Sequence, residues 1–250
     1  MALLKVLLLL GLGVSVNSAV SLQKRIIGGQ NCADTERLYH VRIESTSEKS
    51  TTICGGSLIH PQWILTGASC LELGQGRRDQ HTFLKVHPRT AQGTSQVIVQ
   101  PPVLYREDSR MHEIILLKLP TPVTDVPVAK LPDCSKRLKI GDTVQLAGEG
   151  DTTTGPNDRR LRSGRIAKHL QCVDMKVGLV SQSRSFGHIF RVEEPNKDAC
   201  YGDYGSAVVF NDMVYGVISV ETSHYACKKP VSIMDVCEYI GWIKTTIAHK

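Results

Sequence analysis

The chain has 250 residues, 41% of them apolar, and a formal charge of +6. That length suits one large β domain or a pair of fused barrels, and the apolar share is enough to build a core. The basic excess is mild and does not by itself argue for a nucleic-acid partner.

Met1–Ser18 reads as a secretory signal peptide. Lys5 gives a positive start, Val6–Leu12 an apolar centre, and Ser15, Ser18 and Ala19 small residues for a cleavage site. The run is too short for a membrane span, and no second long one follows. The mature protein is therefore expected to be soluble, secreted and extracellular. Loss of residues 1–25 removes Lys5, Lys24 and Arg25 and no acid, leaving a net charge of +3. Secretion makes disulfides the expected state of Cys32, Cys54, Cys70, Cys134, Cys172, Cys200, Cys227 and Cys237, although spacing alone does not choose their pairing.

Lys24-Arg25-Ile26-Ile27-Gly28-Gly29 follows a short polar segment. Tyr39 to Ile43 alternates as a half-buried strand does. Two motifs follow, Cys54-Gly-Gly-Ser-Leu-Ile59 and Trp63-Ile-Leu-Thr-Gly-Ala-Ser-Cys70. Residues 74–93 read as loops around a strand at Thr82–Val86. Glu72 and Asp79 offer too few oxygen ligands for calcium there, and no metal or cofactor is expected. His112-Glu113-Ile-Ile-Leu-Leu-Lys-Leu119 reads as a strand. Its adjacent side chains face opposite ways, so His112 is expected at the surface, away from whatever Glu113 faces. Pro120 to Pro132 is proline-spaced, as a link between halves would be, and Asp151–Asp158 reads as an exposed loop. Arg159, Arg160, Arg162, Arg165 and Lys168 form a basic cluster that reads first as a solvated strand edge and, as the alternative, as a site for a sulfated polysaccharide. Tyr239, Ile240, Ile243 and Ile247 recur at helical spacing near the C-terminus.

Cys200-Tyr201-Gly202-Asp203-Tyr204-Gly205-Ser206-Ala207 is a glycine-punctuated turn that can present backbone N–H groups. It resembles the nucleophile loop of the chymotrypsin/trypsin-like serine peptidases, usually Cys-x-Gly-Asp-Ser-Gly-Gly-Pro. The motifs at 54–59, 63–70 and 112–119 resemble the same family in the same order. The resemblance covers residues 25–250 and implies an all-β fold, two packed six-stranded antiparallel β-barrels with a C-terminal α-helix. On that reading residues 1–18 are the signal peptide, 19–25 a short activation propeptide and 26–250 the peptidase domain. The first barrel spans about 26–125, the second about 130–236 and the helix about 238–248. The resemblance also implies the disulfides Cys32–Cys172, Cys54–Cys70, Cys134–Cys237 and Cys200–Cys227. It further implies cleavage after Arg25, which frees the Ile26 ammonium to pair with Asp203.

The departures fall on the chemistry. In this family a serine attacks, a histidine takes its proton, an aspartate holds the histidine, and backbone N–H groups receive the oxyanion. Here Tyr204 stands for the serine, Ser69 for the histidine and Glu113 for the aspartate. A hydroxyl cannot take up a proton at neutral pH as an imidazole does. Gly202 and Tyr204 keep an oxyanion-like backbone pair. Asp198 stands at the floor of the specificity pocket, where the family selects Lys or Arg. Ser219-Val220-Glu221 and Val231 replace walls that are elsewhere open, and Glu149 replaces a tryptophan. The leading reading is a secreted homologue without catalysis that binds a protein or peptide as decoy, cofactor or defence protein. The alternatives are an active trypsin-like endopeptidase with a rearranged site and a sulfated-glycan-binding protein.

Overall fold

The structure is a computed structural model that describes residues 26–46, 51–71, 83–90, 93–150, 154–160, 169–219 and 230–249. The expected signal and activation segments, Arg25, Glu72, Asp79, Arg162, Arg165, Lys168, Val220, Glu221 and Cys227 lie outside these residues.

Alternation sorts the first-half strands into an inner and an outer face. In β2 (His40–Thr46), which follows β1 (Gln30–Asn31), Val41, Ile43 and Ser45 are buried while Arg42 and Glu44 are half-buried. The half continues with β3 (Thr51–His60), β4 (Trp63–Thr66), β5 (Phe83–Pro88), β6 (Gln96–Val97), β7 (Val103–Glu107) and β8 (Arg110–Lys118). These form an antiparallel sheet in the order β6-β5-β2-β3-β4-β8-β7. Its β6 end is fastened by a side chain: the Gln96 amide donates to Thr121 O and accepts from Thr121 N–H, both at 3.0 Å. The strand expected at 82–86 is β5, shifted toward Pro88 by its pairing of Phe83–Pro88 along β2.

The second half contains β9 (Thr143–Gly148), the β10 (Thr154–Gly155) and β11 (Arg159–Arg160) hairpin, and β12 (Gln171–Arg184). It continues with β13 (Gly187–Glu193), β14 (Ala207–Phe210), β15 (Met213–Ile218) and β16 (Val231–Asp235). The order β12-β13-β16-β15-β14-β9 returns from β9 to β12, so six strands close into a barrel. β1 adds to the outside of β12, with Gln30 opposite Cys172. The fold is therefore mostly strand, with two antiparallel units and one terminal helix.

Between the halves the chain is stitched to both. Val123 and Ala129 donate N–H groups to Pro61 O and Leu58 O, and Val214 donates to Lys130 O. One apolar core runs through both units, joining Val41, Ile43 and Leu117 to Val144, Val208 and Ile233. Burial of each such side chain stabilises by ~1.5–3 kcal/mol. Disulfides join Cys32 to Cys172, Cys54 to Cys70 and Cys134 to Cys237. The helix α1 (Val236–His249) starts earlier than its apolar spacing suggests, because Asp235 Oδ1 accepts the Cys237 N–H at 3.1 Å and caps it directly off β16. Tyr239 and Ile243 face inward.

Candidate functional site

The turn between β13 and β14 is held by the carboxylate of Asp203, which is fully buried. It accepts the Gly150 N–H and the Cys200 N–H, both at 2.8 Å. The amides of Asp203, Gly205 and Ser206 bond to Cys200 O, Ile218 O and Asp203 O. Gly205 has φ 81°, and a Cβ there would lie 2.3 Å from Thr66 Oγ1 and 2.4 Å from Gly55 O. Only glycine combines that backbone with that approach. The turn is thereby pressed onto β3 and β4, and the Gly55 N–H donates to Tyr204 O at 2.8 Å.

Tyr204 is 5% exposed and packs edge-on against Tyr201, with ring centroids 5.7 Å apart. Its side chain belongs to the apolar core with Ala199 and Ile218. Ser206, two residues on, turns inward and is 0% exposed. Its Oγ fills the space beneath Gly55, 1.8 Å from where a Cβ of that residue would stand. His40 Cε1 borders the same spot at 3.0 Å. Neither Ser206 Oγ nor His40 Nε2 has a hydrogen-bond partner among the described residues. Burial, with Arg89 and Arg42 nearby, pushes the His40 imidazole down to about 3, so it is neutral at physiological pH. A serine beside a neutral imidazole was not legible in the sequence, since 166 residues separate the two. Both are sealed from solvent.

Glu113 and Ser69 do meet. The Ser69 N–H donates to Glu113 Oε1 at 2.8 Å. A Cβ on Gly67 would lie 3.0 Å from the same oxygen and 3.7 Å from both Ser69 Oγ and Gly205 Cα. The carboxylate, the hydroxyl and the turn thus gather around Gly67. Burial raises the Glu113 carboxyl above the usual carboxylate range, while the Ser69 hydroxyl and N–H pull it back.

Asp198 is fully buried and donates its N–H to Ile27 O at 3.2 Å, making an isolated bridge with Ile27. Val231 is buried in β16 opposite Val192, and the Ser219 N–H donates to Ser232 O at 3.0 Å. Ile26 is 0% exposed with φ 49°, a left-handed backbone that a β-branched residue rarely adopts. Glu149 is half-buried, its Oε2 3.6 Å from Arg42 Nη1 across the two halves. Burial raises its pKa, and Arg42 and Arg89 oppose the rise. The replacement of a tryptophan by an acid signalled the change at 149, but nothing in the sequence named Arg42 as its partner. Of the basic cluster, Arg159 and Arg160 sit on β11.

His112 departs from expectation. It faces away from Glu113, but it is buried, because β13 and α1 cover that side of β8. Strand alternation gave its direction, and no local signal gave its cover. Among the described residues no group of three His, Cys, Asp or Glu is placed to hold a metal ion.

An all-β pair of units joined at a glycine-pinned turn, with residues 69 and 113 gathered beside it, defines the class of the trypsin-like serine peptidases. The sequence profile of the Trypsin family matches residues 26–243, and the chain belongs to that family. It is similar to Kallikrein-11 of Homo sapiens, 28% identical over 91% of this chain and 82% of the relative. It is similar also to Trypsin-1 of Gadus morhua, 28% identical over 91% and 93%. With Serine protease 1 of Rattus norvegicus the identity is 29%, over 97% and 98%.

Proposed function

We propose that this chain is a secreted trypsin-family protein that no longer cleaves peptide bonds and acts by binding a protein or peptide. The observation that carries the reading is the inward packing at the nucleophile position. Tyr204 is buried in the core, and the neighbouring Ser206 hydroxyl is sealed beneath Gly55. Acyl transfer needs a nucleophile that a carbonyl can approach and a base within hydrogen-bond reach. Ser69 supplies no such base, and Glu113 is engaged by the Ser69 backbone.

The rest of the turn supports a binding role, since its backbone stays rigidly held by Asp203. Gly202 and Tyr204 N–H groups are the proposed anion-facing pair. Asp198, Ser219, Val220, Glu221 and Val231 are the proposed pocket, narrowed by Val231. Residues 1–18 are the proposed signal peptide and 19–25 the proposed propeptide. Cleavage after Arg25 fits the strained φ of Ile26, because a chain-terminal residue has no φ to strain.

The test is a fluorogenic panel with Lys and Arg reporters and a fluorophosphonate labelling gel, run on protein cleaved after Arg25. Silence is expected. Hydrolysis that disappears on replacing Tyr204 or Ser206 overturns the reading in favour of a rearranged endopeptidase using Asp198 for basic residues.

A further inference from the structure

Where β7, β8, β13 and α1 meet, on the side of β8 opposite Glu113, a polar cluster is closed in by aromatic rings. His112 Nδ1 lies 3.0 Å from Tyr239 Oη. The His188 backbone N–H donates to the same Oη at 2.8 Å. Gly187, at φ 133°, permits this approach, since a Cβ there would lie 2.5 Å from Oη. Tyr105 borders both rings, with centroids 5.0 Å from His112 and 4.9 Å from Tyr239.

Donor and acceptor arithmetic fixes the protons. Burial raises the Tyr239 phenol well above its ordinary value, so it keeps its hydrogen. Oη accepts from His188 and has one proton to give, and His112 Nδ1 is placed to receive it. His112 is then the neutral tautomer with its hydrogen on Nε2, which faces Glu107 Oε2 at 3.6 Å. His188 Nε2 stands 3.7 Å from the same oxygen.

We propose that His112 is the proton-operated release of a latch that fastens α1 and β13 to β7 and β8. A proton on Nδ1 turns the acceptor into a donor. Two N–H groups then point at Oη, and the phenol hydrogen loses its partner inside a buried ring cage. The charges facing His112 are Glu107 from β7, which favours the cation, and His188 from β13 and Arg110 on its own strand, which oppose it. Asp235, Glu238 and Tyr105 bear on the phenol ends of the cluster. Burial outweighs Glu107 and holds His112 below its ordinary value. The unfolded chain therefore takes up this proton first. The latch is at full strength above the ordinary histidine pKa of about 6.5 and weakens as pH falls below it. An acidic compartment loosens α1 from the first unit.

Residue-resolved amide hydrogen exchange on the full chain, from about pH 7.5 to about 4.5 and corrected for intrinsic rates, reads the latch. Protection of α1 amides around Tyr239 and Ile243 is expected to fall as pH drops below the ordinary histidine value, by at most about tenfold per pH unit for one proton, before the first-unit core amides of Leu58 and Ile64 respond. His112→Asn, which keeps an acceptor that does not titrate, is expected to make α1 protection independent of pH over that range. Tyr239→Phe is expected to lower α1 protection already at about pH 7.5, because the latch bond is then absent. Exposed and half-buried histidines make a control: His188→Asn is expected to keep the response. Uniform loss across both units overturns the latch, because it reports a global acid effect such as protonation of buried His40. An unchanged response in His112→Asn overturns it too. Should that variant not fold, an unchanged response in His112→Gln does the same.

Discussion

Ser206 stands where the family turn has glycine, and its hydroxyl lies inside the protein without a partner among the described residues. Such a group destabilises by ~1–3 kcal/mol. Ser206→Ala keeps the Cβ and removes only the oxygen, so a urea melt should show unchanged or higher stability. A loss above ~1 kcal/mol would show that the hydroxyl is bonded, with His40 as the nearest candidate. Glu113 leads to a pH effect. Its carboxyl is raised by burial, so its contribution is complete below the ordinary carboxylate pKa and is lost as pH rises through the raised value. Glu113→Gln retains an oxygen for the Ser69 N–H and has no charge to bury. Melting temperatures from about pH 4 to about pH 8 should show the variant gaining on the parent as pH rises. Parallel curves would mean that the ionised form is not penalised. At this scale the replacements at 69, 113 and 204 were legible, since each sits inside a motif. The inward turn of Ser206 and the cover over His112 were not, because both are set by residues far away in the chain.

The turn between β13 and β14 is the element on which the site depends. Gly205→Ala would force a left-handed φ on alanine and drive its Cβ into Thr66 and Gly55. A destabilisation above ~2 kcal/mol is expected, read as a lower urea midpoint with an unchanged slope. A neutral result would mean that the turn is free to move off β3. Elements were legible to the extent that periodicity marks them. The alternation at 39–43 found β2, and the apolar spacing at 239, 243 and 247 found α1. Boundaries were less so, because they follow from pairing and capping. β5 reaches Pro88 by its pairing with β2, and α1 begins at Val236 on the Asp235 cap. The closing bond of Gln96 to Thr121 has no sequence signature at all.

The two units share a core cluster and are joined by the stitched segment between them. Ile26 is buried and its neighbour Ile27 bridges to Asp198, five residues before Asp203. A left-handed β-branched residue costs ~1–3 kcal/mol, and cleavage after Arg25 removes the constraint. Cleaved protein should therefore melt higher than an Arg25→Gln chain that cannot be cut. A lower melting temperature after cleavage would contradict an inserted Ile26 terminus. The fold of the whole molecule was the most legible feature, because ordered motifs over residues 25–250 specify it together. The replacements at the triad positions were legible as substitutions, and the structure places the side chain at position 204 in the core.

The central claim is that a sound trypsin-family scaffold has lost its chemistry. The direct test sets the cleaved parent beside a Ser69→His, Tyr204→Ser double variant on Lys and Arg fluorogenic peptides with fluorophosphonate labelling. The parent should be silent, and the double variant should regain labelling or turnover. Turnover or labelling in the parent would contradict the account and would require a base other than those placed here.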